Sequence, residues 1–141
     1  MKTEAEKLLQ KAKSALDSAW APHSGYPVGA AIMAEDGAVF SGCNIENSSY
    51  GLTMCAERVA LFSGVAAGRR KFLALAVVAR GAGDESFPYP CGACRQVLSE
   101  FCGKDMTIYA ADLNYPPDYR TLSLNELLPL AFRMRKTGGD P

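Results

Sequence analysis

The sequence has no excess of either charge: 15 Lys+Arg stand against 15 Asp+Glu, for a formal net charge of zero. A general nucleic-acid binder needs a basic face to displace counterions from phosphates. The composition therefore argues against a polynucleotide partner, though not against a small nucleotide fragment as ligand. Nowhere do about 18 apolar residues run together, so no membrane-spanning helix is expected. Residues 1–16 alternate Lys and Glu with apolar residues and lack the continuous apolar core of a signal peptide, which predicts a cytoplasmic protein. Histidine and tryptophan occur once each, at His23 and Trp20. No internal repeat, low-complexity tract or linker interrupts the chain, so its 141 residues are expected to form one domain, 1–141. With 48% hydrophobic and 21% charged residues it is not a disordered chain.

What is present in unusual number is cysteine: Cys43, Cys55, Cys91, Cys94 and Cys102. An odd count in a reducing compartment argues against a disulfide framework. Cys43 at a strand end and Cys102 beside Phe101 read as buried packing residues.

Hydrophobic periodicity predicts the elements. Leu8, Leu9, Ala12, Ala15, Leu16 and Ala19 outline an opening amphipathic helix, closed by Pro22 and Gly25. Residues 28–33 and 39–43 read as strands joined by a tight turn at Glu35-Asp36-Gly37, and are therefore antiparallel. A polar stretch, 44–51, follows. Thr53 is the expected cap of a helix from about Cys55 to Ala67, with Val59, Ala60, Leu61 and Phe62 as its apolar face and Gly68 as its stop. The continuous apolar run 72–79 predicts a strand buried on both faces. Residues 81–90 read as a Gly/Pro-rich loop. A helix is expected from Cys91, with Val97, Leu98 and Phe101 in the core and Gly103 ending it; a strand follows at 106–110. Ser123-Leu124-Asn125-Glu126 is a capping box opening a short last helix cut near Pro129. Residues 133–141, charged and Gly-rich, read as a frayed end. The order α-β-β-α-β-α-β-α predicts an α/β fold, a mixed sheet between helices in which the strands linked through helices run parallel.

Two segments carry chemistry: Cys55-Ala56-Glu57-Arg58 and Pro90-Cys91-Gly92-Ala93-Cys94-Arg95-Gln96. Cys-x-x-Cys lets two sulfurs grip one ion from the first turn of a helix, and Cys55 supplies a third. Three protein ligands with an open fourth position is the catalytic zinc arrangement. Glu57, two residues past a ligand, is placed to shuttle protons for water at that open position. Both segments sit at expected helix N-termini, whose partial positive charge stabilises thiolates. Arg58 and Arg95 are candidate donors to the sulfurs. Two other readings use the same cysteines: a thioredoxin-like Cys91–Cys94 redox pair, which leaves Cys55 and Glu57 unexplained, and a structural four-cysteine site completed by Cys43 or Cys102.

These motifs resemble the small, zinc-dependent, homotetrameric cytidine deaminases over nearly the whole chain. Besides the two zinc segments, Tyr26-Pro27-Val28-Gly29-Ala30-Ala31, Gly42-Cys43-Asn44-Ile45-Glu46-Asn47 and Leu127-Leu128-Pro129-Leu130-Ala131-Phe132 match family motifs in order. The resemblance implies a three-layer α-β-α sandwich with a mixed five-stranded sheet and one Zn²⁺ per subunit, held by Cys55, Cys91 and Cys94. It implies hydrolytic deamination of cytidine and deoxycytidine in pyrimidine salvage, with zinc activating water and Glu57 passing protons. It assigns substrate binding to Asn44 and Glu46 at the ribose, to Tyr26 (usually Phe in the family) against the pyrimidine, to Ala56, and to Tyr50 and Phe132 reaching a neighbouring subunit's site. His23 stands where a tyrosine is common, at the loop entrance. A deaminase of a modified nucleoside such as blasticidin S shares the zinc motifs, but the full Asn44-Ile45-Glu46 pattern is not expected of it. A polynucleotide-editing deaminase is disfavoured by the zero net charge.

Overall fold

The computed structural model describes residues 2–79, 87–113 and 118–134. The first helix, α1 (Glu4–Leu16), is capped by the Thr3 side chain, which accepts from Glu6 N. It buries Ala5, Leu8, Ala12 and Leu16; Ala19, expected to extend it, lies past its end. Strands β1 (Val28–Ala34) and β2 (Val39–Cys43) form the expected hairpin, with Gly37 at φ 89°, the left-handed conformation the turn demands.

Helix α2 (Ala56–Ala66) starts from Cys55. Thr53 is not its cap: the Thr53 hydroxyl accepts from Asn47 N, and the cap position is Cys55, whose side chain makes no capping bond. Phe62 faces outward, while Ala56, Glu57, Ala60, Leu61 and Gly64 point inward. Gly68 N donates to Val65 O and Arg69 N to Gly64 O, with Gly68 at φ 99°, so α2 ends in a Schellman motif at the expected glycine.

Strand β3 (Phe72–Ala79) covers the apolar run as expected, with Leu73 alone on the outside. Of the loop read at 81–90, residues 81–86 lie outside the described residues. Helix α3 (Gly92–Phe101) passes straight into strand β4 (Cys102–Asp112). Gly103 therefore does not stop the helix; it lies inside the strand. A fifth strand, β5 (Arg120–Ser123), which hydrophobic periodicity does not reveal, leads into α4 (Leu124–Leu127) through the capping box read from the sequence. Of the C-terminal end read as frayed, residues 135–141 lie outside the described residues.

The sheet order is β2-β1-β3-β4-β5. Among the described strands only β3 and β4 pair in parallel; β1 pairs antiparallel with both β2 and β3, and β5 antiparallel with β4. The mixed five-stranded sheet thus agrees with the resemblance. The parallel expectation holds for β3–β4; β3 sits beside β1 rather than β2. Alternation sorts the strands' side chains into two layers. Ala31, Ala74, Ala76 and Val78 meet Leu8, Ala12 and Leu16 of α1. Ala30, Ile32, Leu75, Val77 and Ile108 meet Ala56, Ala60 and Leu61 of α2, Leu98 of α3 and Leu124 of α4. Among the described residues no helix is long and apolar enough to cross a membrane.

Two glycines set how closely helices approach the sheet. A Cβ at Gly29 would sit 2.6 Å from Leu16 N and closer still to the Ala12 carbonyl oxygen. One at Gly42 would sit 2.5 Å from Ala60 N. Both clashes are with backbone, which cannot rotate away. Gly29→Val should lower unfolding free energy by about 3 kcal/mol in chemical denaturation. Gly103→Ala, where the new atom meets nothing within 4 Å, should change it by less than about 0.5 kcal/mol. Equal stability of the Gly29 variant and wild type would contradict the packing account.

Candidate metal centre and its surroundings

The sequence separates Cys55 from Cys91 by 36 residues, and the fold closes that gap. Cys55 is the N-cap of α2 and Cys91 the N-cap of α3, and the two helices pack against each other. Cys94, one turn into α3, points to the same side as Cys91. The three sulfurs all lie within 4.8 Å of one another, with Cys55 Sγ and Cys91 Sγ 3.8 Å apart. A tetrahedral zinc with Zn–S of about 2.3 Å holds its sulfurs about 3.8 Å apart, so the spacing suits that ion. Cys94 is buried, Cys55 half-buried and Cys91 exposed, which leaves one side of the cluster approachable. Cys43 and Cys102 are not part of this group; Cys102 lies in the core beneath α3.

The protonation chemistry points the same way. Cys55 is drawn down to about 5, first by its contact with Cys94 and then by Arg58 and Cys91. Cys94 is pushed strongly upward, first by that same contact with Cys55 and then by burial. Three thiols crowded this closely cannot all ionise without a counter-charge. A divalent cation removes the conflict, because it lets all three be thiolate together.

Glu57 is 5% exposed at the second position of α2. Burial raises its carboxyl to about 7, the Cys55 thiolate adding to the rise and Arg58 opposing it. An acid–base group does most work when its pKa lies near ambient pH. Ala56, fully buried beside it, is the first helical residue, where the backbone N–H has no intrahelical acceptor.

The two arginines divide. Arg58 Nη2 donates to Cys55 Sγ at 3.3 Å, and its Nε is buried without an acceptor among the described residues. Arg95 is directed elsewhere than the sulfurs: its Nε donates to Pro90 O at 2.6 Å and its Nη1 to Leu127 O at 2.8 Å. It braces the turn that carries Cys91 and ties that turn to α4.

Asn44 and Glu46 lie on the strand-to-loop exit of β2. Asn44 Oδ1 accepts from Val28 N and its Nδ2 donates to Tyr26 O, both at 2.9 Å. Glu46 Oε1 accepts from His23 N at 2.8 Å and Ser24 N at 3.1 Å, while Oε2 accepts from the Ser24 hydroxyl. These bonds, the Ser24 hydroxyl foremost, hold Glu46 below the usual carboxylate range. Both side chains thus shape the 23–26 loop that presents Tyr26, and Ser24, unremarkable in the sequence, is the residue that orders it. His23 meets Tyr50 edge to face at 5.7 Å, and both line a recess of about 370 Å³ with Ser24, Glu46 and Thr53. Hollows of about 680 and 740 Å³ flank α1 and contain none of the candidate site residues. Tyr50 and Phe132 are 74% and 70% exposed, directed away from their own chain's core.

Arg58→Ala should leave the fold intact but weaken zinc retention, measured as zinc per chain after dialysis against a chelator. Loss of a ligand-orienting partner corresponds to about 10- to 100-fold in metal affinity. Retention equal to wild type would remove Arg58 from the metal centre.

A family model described as "Cytidine and deoxycytidylate deaminase zinc-binding region" matches residues 2–110. A cytidine deaminase of Sporosarcina psychrophila is 50% identical over 129 residues, covering 92% of this chain and 91% of the relative. One of Halalkalibacterium halodurans is 48% identical over 126 residues, covering 89% and 91%. The crystal structure of a cytidine deaminase from Burkholderia pseudomallei superposes with a TM-score of 0.84 at 45% identity, covering 93% of this chain and all of that one. Agreement of this breadth with the sulfur geometry shows that the chain belongs to the cytidine and deoxycytidylate deaminase family, whose zinc-binding region it carries.

Proposed function

We propose that the protein catalyses hydrolytic deamination of cytidine and deoxycytidine, giving uridine and deoxyuridine with release of ammonia. The observation that carries this reading is the delivery of three sulfurs, from two helix N-termini, to the spacing of one tetrahedral ion beside a buried carboxyl held near neutrality. A Cys91–Cys94 redox pair would leave both Cys55 and Glu57 without work.

Cys55, Cys91 and Cys94 would hold the zinc, which when bound supplies the Lewis acidity that brings water into nucleophilic range at neutral pH. Glu57 accepts one proton of the attacking water and delivers it to N3 of the cytosine ring; it then takes that water's second proton from the new C4 hydroxyl and hands it to the amine, so that the C4–N bond breaks, the C4 carbonyl forms and ammonia leaves. Burial raises the Glu57 carboxyl from its ordinary value, which suits a group that must both take up and release a proton. Arg58 holds the Cys55 sulfur in place. Arg95 steadies the turn from which Cys91 projects.

Asn44 and Glu46 contribute to the ribose subsite. Asn44 has one Nδ2–H left after its two loop bonds, and the Glu46 oxygens keep acceptor capacity, so a sugar diol finds a donor and an acceptor side by side. The Tyr26 ring supplies a flat face for the pyrimidine, and the Ala56 backbone faces the base. Support for a homotetramer with shared sites comes from the outward Tyr50, Leu52, Leu130 and Phe132, apolar groups that a lone subunit leaves in water. One domain over residues 1–141 in such an assembly, acting in cytoplasmic pyrimidine salvage, is the role this chemistry fits.

Glu57→Gln should keep a full complement of zinc and lower kcat on cytidine by about 10²- to 10⁴-fold, followed by the fall in cytidine absorbance. Turnover within about twofold of wild type would remove Glu57 from catalysis.

A further inference from the structure

The last described stretch, residues 128–134, crosses α3 with only Leu128 of its large apolar side chains half-buried. Leu130 is 101% exposed, Phe132 70% and Met134 72%. Beyond Leu128, apolar packing therefore does not set its path. Three polar contacts do. Arg95 Nη1 donates to Leu127 O at 2.8 Å, where the stretch leaves α4. Gln96 Nε2 donates to Phe132 O at 2.9 Å. Arg133 Nη2 donates back to Ser99 O. Between the first two, Leu130 takes φ 53°, a left-handed conformation that L side chains avoid unless the surroundings impose it. Hydrogen bonds to main-chain carbonyls fix where a segment runs and leave its side chains free. The result is an arm with a fixed backbone and outward apolar groups.

The arm hangs from the helix that carries the metal-binding turn. Arg95 and Gln96 directly follow Cys94, so the groups holding the arm and the sulfurs of the cluster share one rigid element. We propose that Gln96 is a positioning residue: by gripping the Phe132 carbonyl, with Arg95 and Arg133 on either side, it fixes where the Phe132 ring is presented to a neighbouring subunit. The inference rests on the reading above, in which Phe132 completes the substrate site of another copy. Gln96 is not one of the clustered sulfur residues, and its side-chain amide is spent on the Phe132 carbonyl.

Gln96→Met keeps the length of the side chain and removes the donor; Gln96→Lys keeps a donor on a similar stem. Loss of one hydrogen bond that places the ring should raise KM for cytidine by about fivefold. In Gln96→Met, kcat should stay within about twofold, zinc per chain should be full, and the sedimentation coefficient should match wild type. Gln96→Lys should return KM to within about twofold of wild type. An unchanged KM in Gln96→Met, a Gln96→Lys enzyme as impaired as Gln96→Met, or zinc lost in step with activity would each overturn the proposal. Phe132→Ala separates this from the reading beneath it. An unaltered KM there overturns the shared site and the brace together. A raised KM there beside an unaltered KM in Gln96→Met overturns the brace alone.

Discussion

Three cysteine sulfurs must sit within reach of one ion, and they come from two helices that are far apart in sequence. The sheet is what makes this possible. Helix α2 is seated on β1 and β2 at a distance set by Gly42, against the backbone of Ala60. Helix α3 runs into β4 with no loop between them, so the strand aims the helix. Since β4 pairs in register with β3, and β3 with β1, the positions of both helix N-termini follow from one hydrogen-bonded frame. The metal centre is thus the place where two helix starts converge over a shared sheet, and a small displacement of either helix separates the sulfurs.

Electrostatics then decides what the centre can do. Three thiolates around a divalent ion leave one net negative charge, which weakens the ion's pull on water. Two features of the fold offset this: the positive ends of α2 and α3, and the Arg58 guanidinium on Cys55. Glu57 lies one helical position beyond Ala56, too deep for water to stabilise its charge, and this raises its carboxyl to about 7. One carboxylate is thus buried and one thiol exposed on neighbouring helix turns, so the cluster is open on the Cys91 side and closed on the Glu57 side.

Much of this was legible in the residues, for a physical reason. Cys-x-x-Cys at a helix start is a local signal, and Glu57 lies two positions from its ligand, so neither needs tertiary information. The hairpin turn at Gly37, the Gly68 stop and the capping box at Ser123 are equally local. What stayed hidden depends on contacts between distant segments. β5 is four residues long, at the sheet edge, and has one large apolar side chain, Leu122, so it lacks an alternating pattern to read. Phe62 looks like a core residue until the helix is placed and its face turned outward. Arg95 stands beside a sulfur in sequence, but its guanidinium donates to Pro90 O and, 32 residues away, to Leu127 O. The bonds from residues 23 and 24 to Glu46 are likewise invisible without the fold, and they show that this carboxylate orders the loop opposite it.

The central claim is that these sulfurs hold a single zinc ion. Metal analysis of the purified protein, beside its Cys94→Ala variant, tests it directly. The account requires one zinc per chain in the wild type and loss of that zinc in the variant. A wild type free of transition metal, or a Cys94→Ala protein that keeps its zinc undiminished, would contradict it.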